Sequence, residues 1–318
     1  NPPRLSESAP TTLASPSPPP TDARGPDTVT VGRLLVWTTD FLKRKGAESP
    51  RLDAEVLLAF VLDCPRVHLY THYEERVRES DRAAYRELIK KRVEGMPVAY
   101  LVGRKEFYSL SFKVSPAVLI PRPDSEFVIV EFVKVAKGLE SPKVVDVGTG
   151  SGNLAVTCAH QHRAARVFAI DLSPEALAIA MTNAESHKLS ERISFHEGSL
   201  LEPVWAEAPF DVIVSNPPYI RTDVIPTLEP GVRLYEPHLA LDGGDDGLRV
   251  VSALIAQAAA ALKPGGCLIL EIGGDQEQPV RRLLSGGEWR LSPTVRDHAN
   301  HPRVLLATRT EVLAPSIP

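Results

Sequence analysis

Between residues 29 and 103 the apolar positions recur at helical spacing. Val31, Leu34, Leu35, Thr38, Phe41 and Leu42 fall on one stripe, and Gly46 supplies a stop. Ser49-Pro50 predicts an N-cap and a first helical residue for a helix through Leu62. Ser80 is expected to cap a further helix that carries Tyr85, Leu88, Ile89 and Val93 and ends at Gly95. Over 105–120 the pattern switches to alternation, with Phe107, Leu110, Phe112 and Val114 predicting a β-hairpin. Pro121-Arg122-Pro123 then leads into a helix over 124–137, stopped by Gly138.

A strict strand–helix alternation follows. Strands are predicted over 143–147, 166–170, 193–196, 212–214 and 267–272, and helices over 153–162, 174–187 and 246–262. Two further strands, near 290–296 and 304–308, close the pattern. Continuous β-branched runs separated by amphipathic helices define an α/β fold with a doubly wound, mostly parallel sheet. The predicted organisation is a Pro-rich disordered tail over 1–28, a helical domain over 29–104, a hairpin linker over 105–120, an α/β domain over 121–310 and a tail over 311–318. The first 28 residues are too poor in large apolar side chains to offset their ordering entropy. Glu7, Asp22 and Asp27 count against a transit peptide there.

Composition narrows the classes. A hydrophobic share of 43% and a charged share of 24% belong to a globular protein. The net charge of −4 provides no bulk attraction to nucleic acid. Apolar runs are too short for a membrane span, and no signal peptide is read, so the expected location is cytoplasmic. Cys64, Cys158 and Cys267 lie far apart in apolar runs and read as buried thiols, not as a disulfide or zinc framework. His160 and His162 have no third ligand nearby in the chain, so no metal is expected. His298 and His301 read as solvated loop residues, and Lys90-Lys91-Arg92 as a solvated helix face.

Two stretches carry chemistry. The first is the strand 143–147 running into Gly148-Thr149-Gly150-Ser151-Gly152 and a helix. Glycines let backbone approach a ligand, and the helix start presents free N–H groups. Asp171 ends the next strand, where a carboxylate accepts hydrogen bonds from ribose hydroxyls. The Gly-x-Gly-x-Gly spacing fits S-adenosylmethionine better than a dinucleotide. Asp146, just before the turn, is placed to attract the ammonium of a methionine moiety.

The second stretch is Asn216-Pro217-Pro218-Tyr219, directly after the strand 212–214. Neither proline has an N–H for a ladder, so the strand stops there in a stiff turn. Open α/β sheets place ligands at this end of their strands. The Asn216 side-chain oxygen and the Pro217 carbonyl are two rigidly held acceptors, suited to a planar NH2 group with two donors. Tyr219 adds an aromatic face. Asn-Pro also occurs in purely structural loops; the glycine loop upstream is what argues for chemistry.

With these residues the chain resembles the release-factor glutamine methyltransferases (the PrmC or HemK family) among the class I S-adenosylmethionine-dependent methyltransferases. Further stretches carry the resemblance: 51–58, Pro97-Val98-Ala99-Tyr100-Leu101, Glu106-Phe107-Tyr108, Leu119-Ile120-Pro121-Arg122-Pro123, Glu236-Pro237 and 240–244. Departures are small. Asp124-Ser125-Glu126 stands where the family usually has Glu-Thr-Glu, Ser199 replaces a common Asp before Leu200, and Asn300-His301 precedes Pro302-Arg303-Val304.

The resemblance implies a seven-stranded Rossmann-like methyltransferase domain behind a helical substrate-binding domain. It implies methyl transfer from S-adenosylmethionine to the side-chain amide nitrogen of a glutamine in a Gly-Gly-Gln segment of class I peptide chain release factors. Asn216, Pro217 and Tyr219 are the implied catalytic residues, and together with Pro218 the implied substrate-binding residues. Gly148, Thr149, Gly150, Ser151, Gly152, Asp171, Leu200 and Asn216 are the implied cofactor residues. Two other readings remain at this point: an adenine-N6 methyltransferase using the same turn on nucleic acid, and a silent cofactor-binding module. Glu271, ending a strand, stands either in support of the cleft or as a cap of the Gly273-Gly274 turn.

Overall fold

The computed structural model describes residues 29–311; the predicted tail over 1–28 and all but Glu311 of the tail over 311–318 lie outside the described residues. Two compact units divide between Val93 and Glu94.

The first unit is helical: α1 (Val31–Arg44), α2 (Pro50–Val61), α3 (Arg66–Thr71) and α4 (Glu79–Val93). Thr30 caps α1, its hydroxyl accepting from the Arg33 amide. The α1 stripe is buried as predicted except at Phe41, which is half-buried and stacks on Trp37. Ser49 stands at the N-cap of α2, yet its side chain makes no capping bond; Pro50 and the backbone carbonyl of Ser49 open the helix. Ser80 is not a cap. Helix α4 starts at Glu79, whose charge favours an N-terminus and draws in Arg82 and Arg86. Cys64 is half-buried rather than buried.

The second unit opens with α5 (Val98–Val102) and a hairpin of β1 (Arg104–Phe107) and β2 (Leu110–Lys113). The hairpin is shorter than the 105–120 alternation suggests. Tyr108 and Ser109 turn it with φ of +49° and +62°, a conformation usually given to Asn-Gly, and Val114 already lies in the following loop. The Tyr108 amide is held there by the Glu126 carboxylate at 2.9 Å.

The rest is α6 (Glu126–Ala136), β3 (Lys143–Val147), α7 (Asn153–Gln161), β4 (Arg166–Asp171), α8 (Pro174–Ser186), β5 (Ile193–Glu197), β6 (Phe210–Ser215), β7 (Ile220–Arg221), α9 (Pro230–Tyr235), β8 (Asp242–Gly244), α10 (Arg249–Ala261), β9 (Leu262–Glu271), α11 (Glu277–Leu283), β10 (Trp289–Leu291), β11 (Val295–Arg296) and β12 (Pro302–Arg309). The strand predicted near 290–296 is two short strands, because Pro293 offers no N–H between them.

The sheet runs β10-β12-β9-β6-β3-β4-β5, with β11 also paired to β12. Strands β9, β6, β3, β4 and β5 are mutually parallel, and β12 is antiparallel to β9. This is the predicted α/β fold. Alternate residues of the central strands feed opposite cores. Val144, Val212 and Val214 join α6 and α7 on one face, while Val145, Ile213 and Leu268 join α10 and α11 on the other. The order reverses at β3 and β6, so the chain ends of these two strands open a crevice between their outgoing loops.

Candidate active site

A cavity of about 590 Å³ lies at the carboxyl ends of β3, β4 and β6. Its walls include Gly148, Thr149, Gly150, Ser151, Asp171, Leu200, Asn216 and Pro218. Gly152, Pro217 and Tyr219 are not among the walls.

The glycine turn follows β3. Gly148 and Thr149 donate from their amides to the Ile170 carbonyl at 2.9 and 2.8 Å, which draws the loop over the end of β4. Gly150 has φ +54°, and the Asp171 carboxylate accepts from its amide at 2.8 Å. Asp171 also accepts from the Ser173 amide at 3.0 Å. Burial pushes the Asp171 carboxyl up, against these backbone donors. Gly152 starts α7 with φ +79°; a Cβ there would stand 3.0 Å from that of Ala180, so this glycine permits close helix packing.

Asp146 departs from its expected place. It is fully buried, is not in the cavity wall, and its Oδ2 accepts from the Thr149 hydroxyl at 2.6 Å and the Ala155 amide at 3.0 Å. It clamps the loop from behind. Burial pushes its carboxyl up to about 7, with the charge of Asp171 adding to the rise. Leu200 carries φ +50°, rare for a branched side chain, and lines the cavity beside Ser199 and Gly198.

Asn216 is half-buried at the end of β6, and its Nδ2 donates to Ser125 Oγ at 3.1 Å. Pro217 is buried, and Pro218 and Tyr219 are half-buried. Burial raises the Tyr219 phenol, and the charge of Glu271 adds to it. The turn is backed by Gln276, whose Nε2 donates to the Tyr219 carbonyl at 3.1 Å. Glu271 does not cap Gly273; the Gly273 amide donates to Gln276 Oε1, and the Glu271 carboxylate accepts from Ser125.

Sequence reasoning did not single out Gln276, Asn183 or the Arg122–Glu236 pair. The buried Asn183 carboxamide joins the Lys113 backbone to the Ser151 carbonyl, fastening the hairpin to the glycine loop. Arg122, in the cavity wall, donates to both carboxylate oxygens of buried Glu236 at 2.7 Å. The one clue for that pair was their occurrence in two separate family-like stretches.

The histidines considered earlier do not converge: His162 meets the Leu139 carbonyl, His298 the Phe127 ring and His301 the Asp297 carboxylate. Among the described residues His68, His72 and Glu75 bring three possible ligand atoms within 4.8 Å. The two imidazoles stack with centroids 3.7 Å apart. Lys90 pairs with Glu87 and Arg92 with Asp53, so the basic run on α4 is largely neutralised.

A parallel sheet with its order reversing at a glycine loop, an acidic residue on the next strand and Asn-Pro-Pro-Tyr on the one beyond define a methyltransferase. Residues 33–103 match the PrmC N-terminal domain, and residues 125–227 match the methyltransferase small domain. The chain belongs to the release factor glutamine methyltransferase family. It is 42% identical over 281 residues to the release factor glutamine methyltransferase of Rhodopirellula baltica, covering 87% of this chain and 95% of that one. The Moorella thermoacetica protein of the same name is 43% identical over 267 residues, covering 84% and 94%. The hMettl16 catalytic domain, solved with a MAT2A 3'UTR hairpin, shares the fold: TM-score 0.53 at 14% identity, covering 67% of this chain and 78% of that one.

Proposed function

We propose that this protein methylates the side-chain amide nitrogen of the glutamine in the Gly-Gly-Gln segment of class I peptide chain release factors, with S-adenosylmethionine as methyl donor. The observation that carries the reading is the placing of Asn216. Its NH2 group is tied to Ser125, which leaves Oδ1 as the pole without that partner, and Asn216 lies in the wall of the cavity that the glycine loop also lines.

The residues present fit the donor. A cavity of about 590 Å³ suits a ligand of this size. Asp171 spends one lone pair per oxygen on backbone amides and keeps acceptor capacity for ribose hydroxyls. Ile170, Leu172 and Leu200 supply apolar wall for a flat base. When bound, S-adenosylmethionine supplies an electrophilic methyl group on a sulfonium.

An amide nitrogen is a weak nucleophile because its lone pair is delocalised. Asn216 Oδ1 and the Pro217 carbonyl accept its two hydrogens, fix its direction and stabilise the positive charge that develops as it attacks. Two prolines hold both acceptors still, so little reorganisation accompanies the step. Tyr219 backs this turn from outside the cavity wall, its carbonyl tied to Gln276. The helical unit serves as the platform for the protein substrate. A cytoplasmic reaction that needs no membrane and no stable nucleic-acid partner is in keeping with a release factor as substrate.

The test is one incubation with labelled S-adenosylmethionine in three tubes: a release factor, its Gln-to-Ala variant, and DNA. Label in the first tube alone is expected. Label in DNA, or in the Gln-to-Ala variant, overturns the reading.

A further inference from the structure

Asn216 does not stand alone. Its Nδ2 donates to Ser125 Oγ at 3.1 Å, and Ser125 Oγ donates to Glu271 Oε2 at 2.5 Å. Ser125 comes from the short turn before α6 and Glu271 from the end of β9, 146 positions away. Ser125 and Glu271 are 1% and 2% exposed, so water does not compete for these bonds.

We infer that Ser125 and Glu271 are positioning residues that together set which pole of the Asn216 carboxamide faces the cavity. A carboxamide has an accepting and a donating pole of nearly equal shape, and only its hydrogen-bond partners distinguish them. Ser125 owns one hydroxyl proton. An ionised Glu271 only accepts, so that proton is committed to it. Ser125 is then left as an acceptor, and an acceptor selects the NH2 pole of Asn216. The oxygen pole is thereby turned to the substrate side.

The reverse state follows from the same chain. When Glu271 takes a proton from solvent, its carboxyl donates to Ser125 Oγ. The Ser125 proton is released towards Asn216, which turns its oxygen inward to accept it. The NH2 pole then faces the cavity and opposes the NH2 of a glutamine substrate. Burial pushes the Glu271 carboxyl up to about 7. The Ser125 bond, Arg303 and Arg122 pull it down, Asp124 pushes it up, and the Tyr219 phenol lies in the same field. The switch therefore falls near neutrality. Its consequence for catalysis rests on the function proposed above; its geometry does not.

The experiment follows the Asn216 side-chain NH2 signals in the full-length 15N-labelled protein from pH 5 to 9, identified by their loss in Asn216→Ala. In the wild type they are expected to shift with a midpoint near neutrality. In Ser125→Ala and Glu271→Gln that titration should vanish, and Ser125→Thr, which keeps the hydroxyl, should restore it. Signals indifferent to pH in the wild type, or still titrating in Glu271→Gln, overturn the inference. In parallel, kcat for release-factor methylation should fall at acid pH in the wild type but not in Glu271→Gln. Ser125→Ala should lose about tenfold or more in kcat at pH 8, with S-adenosylmethionine affinity within about twofold. If the signals titrate as stated while the wild type leaves the release factor unlabelled, the proposed function fails and the positioning role stands.

Discussion

Gln276 donates from Nε2 to the Tyr219 carbonyl at 3.1 Å and to the Gly247 carbonyl at 3.0 Å, while its Oε1 accepts from the Gly273 amide at 3.0 Å. One buried carboxamide thus ties the Asn-Pro-Pro-Tyr turn to the loop before α10 and the loop after β9. Gln276→Leu removes the partner of two buried backbone groups and one part-buried one. It should cost about 3 kcal/mol of stability, measured by urea unfolding, and lower kcat more than cofactor affinity. An unchanged unfolding midpoint would show that the turn holds itself.

Gly247 has φ +73°, and a Cβ there would lie 2.5 Å from the Tyr219 oxygen. Gly247→Ala therefore presses on the backbone of the turn and on Gln276 Nε2, 2.8 Å away, which holds that turn. Methyl transfer should drop about tenfold or more while S-adenosylmethionine affinity stays within a few-fold, read by single-turnover assay and calorimetry.

Asn216→Ala removes one of the two acceptors without touching the glycine loop. By analogy with the loss of one preorganised donor at a reacting centre, the barrier should rise by about 2–4 kcal/mol. Near-wild-type turnover in a variant that binds S-adenosylmethionine normally would refute the role assigned to this side chain.

Asp171→Ala frees the amides of Gly150 and Ser173 and takes away the carboxylate in the cavity wall. Affinity for S-adenosylmethionine should weaken by about 10- to 100-fold. Titration calorimetry measures this directly, and the saturated enzyme should retain most of its kcat.

The Asp146 carboxyl, pushed up to about 7 in the fold, sits above its ordinary value. The folded state therefore favours the neutral form. That contribution is fully present below the unfolded value and is lost as pH rises through about 7. Asp146→Asn carries no such loss, so its stability relative to the wild type should climb between about pH 4 and 7, by at most about 1.4 kcal/mol per unit, and level off above that. A difference that stays flat with pH would mean the carboxylate is ionised throughout.

The strand–helix alternation, the glycine turn and the stop after β6 were all legible along the chain, because each depends on neighbours within a few residues. Local misreadings have local causes. Glu79 opens α4 one residue before Ser80, Pro293 splits an edge strand, and Tyr108-Ser109 turn a hairpin without a glycine because Glu126 holds the turn from outside. Asp146 was misplaced for a different reason: a carboxylate at the end of a strand can face the ligand or the loop, and only packing against α7 chose the loop.

The sequence by itself determined the fold class and the two chemical stretches, since periodicity, β-branched runs, glycine and proline act through short-range sterics. Tertiary structure alone decided what surrounds Asn216. Ser125, Glu271 and Gln276 come from segments separated from it by tens of residues, and no spacing rule links them. Hydrogen bonds between buried side chains are settled by which segments the sheet order brings together, a property of the closed chain and not of any window along it.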